Sequence, residues 1–178
     1  MREGQPRAQH FLSVDAARRL IDGSGVGPND LDFDLGAGRG ALTLPLAARA
    51  GRVVAIELDP KLAQRLARRT ADFDNVRVYE RDIRTMPLPH RPFRVVANLP
   101  FAGANAVIRR LLQPGVPLVG ADVVVEFACA LGWLDDGSLV NRVDMRIAAR
   151  LRPSAFTPPP SRNAAILLIR PRSHARHR

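Results

Sequence analysis

Short runs of β-branched and aliphatic residues recur along this chain and alternate with stretches patterned for helix. They are LDFDL (Leu31–Leu35), RVVAIEL (52–58), NVRVYERD (75–82), FRVVAN (93–98) and ADVVVEF (121–127). Runs this apolar suit strands buried on both faces, which is the condition of a parallel sheet rather than a hairpin sheet. Parallel neighbours need crossovers, and the intervening segments supply them. Ser13 is placed to cap a helix over residues 14–22, with Ala17, Leu20 and Ile21 on its inner side. GAGRGALTLPLAARAG turns on its glycines into a second helix that ends near Gly51. Asp59 and Pro60 offer a cap and a first-turn proline to KLAQRLARRT, and ANAVIRRLLQ is a further helix. After Phe127 the pattern predicts a short helix in ACALGW and two closing strands, DMRIAARL and AAILLIR, around FTPPPSR. The expected architecture is therefore α/β, a parallel sheet with helices on both faces.

A chain of 178 residues, 46% of them hydrophobic, has material for one such core and no second domain. The apolar stretches are too short to span a bilayer, and the first residues, MREGQPRAQHF, carry no apolar leader. A lone cysteine, Cys129, leaves no internal disulfide and suits a reducing cytoplasm, so a soluble cytoplasmic protein is expected. The charge is more telling. Lysine and arginine total 27 against 17 acidic residues, a net +10, and Lys61 is the sole lysine. Arginine's planar fork matches phosphate, and the excess points to a polyanionic partner, nucleic acid above all. His174 and His177 have a metal-like spacing without further ligands, so no metal is expected.

Open α/β sheets bind ligands at the carboxyl ends of their strands. The first strand ends in Gly36-Ala37-Gly38-Arg39-Gly40, which lets a ligand approach the backbone closely; on its own this also fits a dinucleotide loop. Glu57 ends the second strand, where a carboxylate can accept both ribose hydroxyls, with Leu58 next to it. Asp82 follows the third strand, able to accept from an adenine amine, with Ile83 against the ring. Together these describe a nucleoside cofactor site. The fourth strand runs into Asn98-Leu99-Pro100-Phe101. The Asn98 side-chain carbonyl and the Leu99 peptide carbonyl are two acceptors held close, Pro100 stiffens the turn, and Phe101 offers a stacking face. That set suits methylation of an exocyclic amine on a nucleobase. It has no use in hydride transfer.

In order and spacing, AQHFLS, DLGAGRGALT, AIELD, ERDI, NLPF and FTPPPSRNAAI resemble the rRNA adenine N6-methyltransferases, especially their erythromycin-resistance (Erm) branch, over roughly residues 9–170. The resemblance implies a Rossmann-like class I S-adenosylmethionine-dependent methyltransferase with a mostly parallel seven-stranded sheet. It implies that Gln9, His10 and Leu12 lie across the methionine end of the cofactor. Gly36, Ala37 and Gly38 would contact its backbone, Glu57 its ribose, and Asp82 and Ile83 its adenine. Asn98 would hold the target amine, Phe101 stack on the target base, and Phe156 flank it. The implied partner is rRNA, in the first instance protein-free 23S rRNA methylated in the peptidyl-transferase loop, by a monomer, with antibiotic resistance as the result. 16S rRNA or DNA adenine is the alternative substrate, and a non-catalytic RNA-binding scaffold the alternative of another class. Residues 1–170 are expected to be the catalytic domain and 171–178 a basic tail, with no helical C-terminal domain of the kind usual in the family. RNA would then be held by Arg109, Arg110 and Arg152, together with Arg2, Arg7, Arg150, Arg170, Arg172, Arg176 and Arg178.

Overall fold

The computed structural model describes residues 9–139 and 142–172. In chain order the elements are β1 (Phe11–Leu12), α1 (Val14–Ser24), β2 (Leu31–Leu35), α2 (Thr43–Ala47), β3 (Arg52–Glu57), α3 (Pro60–Arg69) and β4 (Val76–Glu80). There follow β5 (Phe93–Asn98), α4 (Ala104–Leu111), β6 (Leu118–Glu126), α5 (Phe127–Leu134), β7 (Val143–Leu151), β8 (Phe156–Thr157) and β9 (Ala164–Pro171). Seven strands form one sheet in the order β4-β3-β2-β5-β6-β9-β7. Strands β2 to β6 are parallel, and β9 alone runs against its neighbours β6 and β7. From β2 the chain winds outward through β3 to β4, then returns to β5 on the other side of β2. The point of reversal, between β2 and β5, opens a crevice at their carboxyl ends.

The pleat assigns the core. Val95, Ala97, Val123 and Val125 face a cluster completed by Val107, Ile108 and Leu111 of α4 and by Ala130 and Trp133 of α5. Val53, Val96 and Val124 face the opposite cluster, built by Ala17, Leu20 and Ile21 of α1 and Leu46 of α2. Both faces are covered, as a parallel sheet requires. Each of the fully buried Val, Leu and Ile side chains among them contributes about 1.5–3 kcal/mol. Helix starts follow their local chemistry: the Ser13 hydroxyl accepts from Ala16 N, and Asp59 Oδ1 accepts from Lys61 N and Leu62 N at 2.8 and 3.0 Å.

Two features differ from the sequence expectation. The segment after the glycine loop is mostly turn, and α2 itself has five residues, because Pro45 has no N–H to donate to the Ala41 carbonyl and so opposes an earlier helix start. In addition, Phe11–Leu12 is a strand, pairing antiparallel with Phe156–Thr157. No period-2 pattern that short is distinguishable in sequence. Arg2, Arg7, His174, Arg176, His177 and Arg178, and with them most of the basic tail, lie outside the described residues. Among the described residues no helix is long and apolar enough to cross a membrane, and no group of three or more His, Cys, Asp or Glu is placed to hold a metal ion.

Candidate functional site

The crevice at the reversal point brings together residues from four strand ends and the N-terminal segment: Gly36 and Gly38, Glu57 and Leu58, Asp82 and Ile83, Asn98 to Phe101, and Gln9 to Phe11. Most of the residues singled out from sequence thus meet in one place, although they are spread over nearly a hundred positions. The groups in it are held by specific bonds.

Gly36 and Gly38 have φ of +82° and +55°, conformations that favour glycine. Their N–H groups are already used: Gly36 N and Ala37 N donate to Ile56 O, and Gly38 N donates to Glu57 Oε2 at 2.7 Å. The other Glu57 oxygen accepts from Asp59 N at 2.8 Å. Glu57 therefore ties the glycine loop to the end of β3 while its carboxylate borders the cleft, with further lone pairs on both oxygens. The Ala37 side chain is buried against Ala55 and Leu66. The N–H groups of Gly36, Ala37 and Gly38 are therefore committed within the protein.

Asn98 is bonded at one end and unpaired at the other. Its Nδ2 donates to the His10 carbonyl at 2.7 Å, whereas Oδ1 is buried with no hydrogen-bond partner among the described residues. His10 is itself fixed, its Nδ1 donating to Pro158 O at 2.8 Å. Leu99 is 1% exposed, its N–H donating to Val124 O, so the chain leaves the sheet only after Leu99. The Phe101 ring is half-buried, 5.9 Å from the His10 ring and edge-on to Phe156 at 6.5 Å. Phe156, expected to flank the base, is 3% exposed and braces Phe101 from behind. Leu12 is likewise buried, and strand alternation turns the neighbouring Phe11 to the cleft.

Asp82 accepts from the Arg84 Nε through both oxygens, at 3.0 and 3.1 Å. Arg84 lines the same cleft, and the sequence reading missed it because an arginine in a basic chain carries no signal of its own. Of the arginines assigned to RNA, Arg110 is diverted: its guanidinium donates to the carbonyls of Ile83 and Met86, pinning the loop that carries Asp82. Arg109 stacks on Trp133, and Arg170 pairs with Asp122 at 2.7 Å. Arg152 is exposed.

Beneath the loop, β2 buries two carboxylates. Asp34 Oδ2 accepts from the Thr43 hydroxyl at 2.6 Å, and Asp32 Oδ1 accepts from Val96 N at 3.1 Å while its Oδ2 has no partner among the described residues. Burial, reinforced by the neighbouring Asp34, pushes the Asp32 carboxyl up to about 8. Burial also raises Asp34, to about 7, against the opposing Thr43 hydrogen bond.

The family of ribosomal RNA adenine dimethylases matches residues 8–177. The chain is 30% identical to an rRNA adenine N-6-methyltransferase of Bacillus licheniformis over 170 residues, covering 90% of this chain and 59% of that protein. It is 33% identical to the ribosomal RNA small subunit methyltransferase A of Rubrobacter xylanophilus, covering 94% of this chain and 68% of the relative. The chain therefore spans about three fifths of the length of the Bacillus relatives. In fold it superposes on the crystal structure of the 23S rRNA methyltransferase ErmE with a TM-score of 0.85 at 24% identity, over 92% of this chain and 70% of that one. The fold is that of the class I methyltransferases.

Proposed function

The chain belongs to the ribosomal RNA adenine dimethylase family, and from that premise we propose that it transfers a methyl group from S-adenosylmethionine to N6 of an adenine in ribosomal RNA. The observation that carries this reading is the Asn98 amide: one end is anchored, and the other is a buried acceptor without a donor. An unsatisfied buried acceptor costs about 1–3 kcal/mol, which a bound exocyclic amine would recover.

The cleft fits a nucleoside cofactor by the chemistry of its donors and acceptors. Glu57 offers carboxylate lone pairs for a ribose, Asp82 an acceptor for an adenine amine, and Ile83 an apolar surface for the ring. The glycine loop also packs closely under the Phe11 ring, which a Cβ on Gly38 would meet at 2.9 Å. When bound, S-adenosylmethionine supplies a methyl group on a positively charged sulfur. The work of this chain's residues is positioning. Asn98 Oδ1 and the Leu99 carbonyl accept from the two N6 hydrogens and draw the amine toward a tetrahedral shape, which frees its lone pair. Phe101, braced by Phe156, stacks on the base and keeps it out of the RNA helix. The proton released from N6 leaves to water, so no side chain is needed as a strong base.

We place the target in the peptidyl-transferase loop of protein-free 23S rRNA, with resistance to macrolide-type antibiotics as the consequence. The support is the resemblance of NLPF and its strand PFRVVAN to the Erm branch. A 16S target is the second reading, favoured by the 33% identity to a small subunit methyltransferase. Radiolabelled methyl transfer to deproteinised 23S and 16S rRNA, followed by primer-extension mapping, decides between them. Binding of S-adenosylmethionine without transfer to either RNA would refute the enzymatic reading.

A further inference from the structure

β7 pairs with β9 through a register break between Ile147 and Ala149. Before the break, Val143, Met145 and Ile147 pack into the cluster under α5; after it, Ala149 and Leu151 belong to the opposite cluster. The inserted residue inverts the pleat and re-aims the side chains that follow. Arg150 consequently emerges on the α5 side, where its guanidinium lies 4.5 Å from the centroid of the Phe127 ring. Phe127 opens α5, and its N–H donates to Asn163 O at 2.9 Å, which fixes the base of the ring.

This stack stands at the same end of the sheet as the cleft. Asn98 is opposite Val124, and Phe127 is three residues further on, about 10 Å along the strand. Charge around it is positive. Glu126 is neutralised by Arg162 at 2.7 Å, whereas Arg150 and Arg152 are exposed and form no ion pair among the described residues. A planar guanidinium already laid on an aromatic ring, with its outer face open, is a surface for a nucleobase.

We propose that the Arg150–Phe127 stack is the platform for the nucleotide next to the extruded adenine, with Arg152 meeting its phosphate. Extruding a base leaves its neighbour without a stacking partner, and this platform supplies one. The proposal rests on RNA being the substrate and deepens that reading by assigning the surface that holds the flanking base.

The test uses an RNA fragment that spans the mapped adenine, with an abasic nucleotide on its 5′ or its 3′ side. For the wild-type protein, one of the two abasic positions should lower kcat/KM about tenfold. Arg150→Ala should lose about tenfold on intact RNA and lose little more on that abasic RNA. Arg150→Lys, which keeps the charge but not the plane, should behave like Arg150→Ala. Affinity for S-adenosylmethionine, measured by calorimetry, should be unchanged in both variants. Full activity of Arg150→Ala, wild-type behaviour of Arg150→Lys, or losses that multiply would each overturn the platform while leaving the methyltransferase reading intact. Absence of methyl transfer to any rRNA by the wild-type protein would overturn both.

Discussion

The amide of Asn98 meets two demands with two atoms. The bond from Nδ2 to the His10 carbonyl fixes the amide, so the unpaired acceptor Oδ1 is held in one place before any substrate arrives. Asn98→Ala should lower methyl-transfer kcat by about 100-fold, the usual scale for one oriented polar group at a reacting centre. Cofactor affinity by calorimetry should stay within about threefold, and a variant that turns over normally would refute the role given to Oδ1. Asp32 makes a prediction about pH. Its folded pKa is raised to about 8 from the ordinary 3.8, so between these limits the folded protein holds a proton that the unfolded chain releases. The contribution is fully present below about pH 4 and is lost as pH rises through about 8. Asp32→Asn keeps the acceptor for Val96 N but has no proton to lose. It should raise Tm at pH 8.5 by roughly 4 °C and shift it far less at pH 5, checked by thermal unfolding at both values. Equal shifts at the two pH values would show that Asp32 does not titrate in this window. Nothing in LDFDL singled out Asp32 and Asp34, since the run reads only as a buried strand. The helices α1 and α2 cover their face of the sheet, and only the packed structure shows it.

Among the elements, the two-residue strand β1 has the largest influence on the site for its size. Pairing with β8 carries Gln9 to Phe11 across the cleft mouth, and the Phe11 ring comes to rest between Gly38 and the Arg39 guanidinium, 4.5 Å from the ring centroid. Gly38→Ala would place a methyl 2.9 Å from that ring at a φ of +55°. The backbone strain alone costs about 1 kcal/mol, and the displaced ring should weaken S-adenosylmethionine binding about tenfold. Calorimetry on the folded variant measures this, and unaltered affinity would separate the β1 segment from the cofactor site. The strands β2, β3 and β5 and the helices α1, α3 and α4 were legible because periodicity and caps are local. The pairing of Phe11–Leu12 with Phe156–Thr157 was not, since it joins segments about 145 positions apart and depends on where the sheet brings the proline-rich segment.

For the molecule as a whole, a net charge of +10 favours approach to a polyanion such as the proposed RNA substrate. The folded structure reduces the set of arginines available, because Arg110 is tied to backbone carbonyls and Arg170 to Asp122. The remaining exposed cations still release counterions on binding. About six phosphate contacts to single-stranded RNA correspond to a log–log salt slope near −4. Filter binding or KM for RNA between 50 and 200 mM salt, roughly the range over which such slopes are read, should show it. A flat profile would mean that charge does not drive recognition.

By itself the amino-acid sequence determined the α/β alternation, the positions of the strand ends and the residue types that gather there, because these follow from neighbours a few positions apart. The tertiary structure alone decided which atoms of those residues are free. Glu57 and the glycine loop satisfy each other, Phe156 and Leu12 turn inward, Arg110 serves the Asp82 loop, and Asn98 keeps one acceptor open. The reason is that hydrogen-bond partners are chosen by proximity in the folded chain, and proximity between distant segments exists only once the sheet and both helix layers have closed around it.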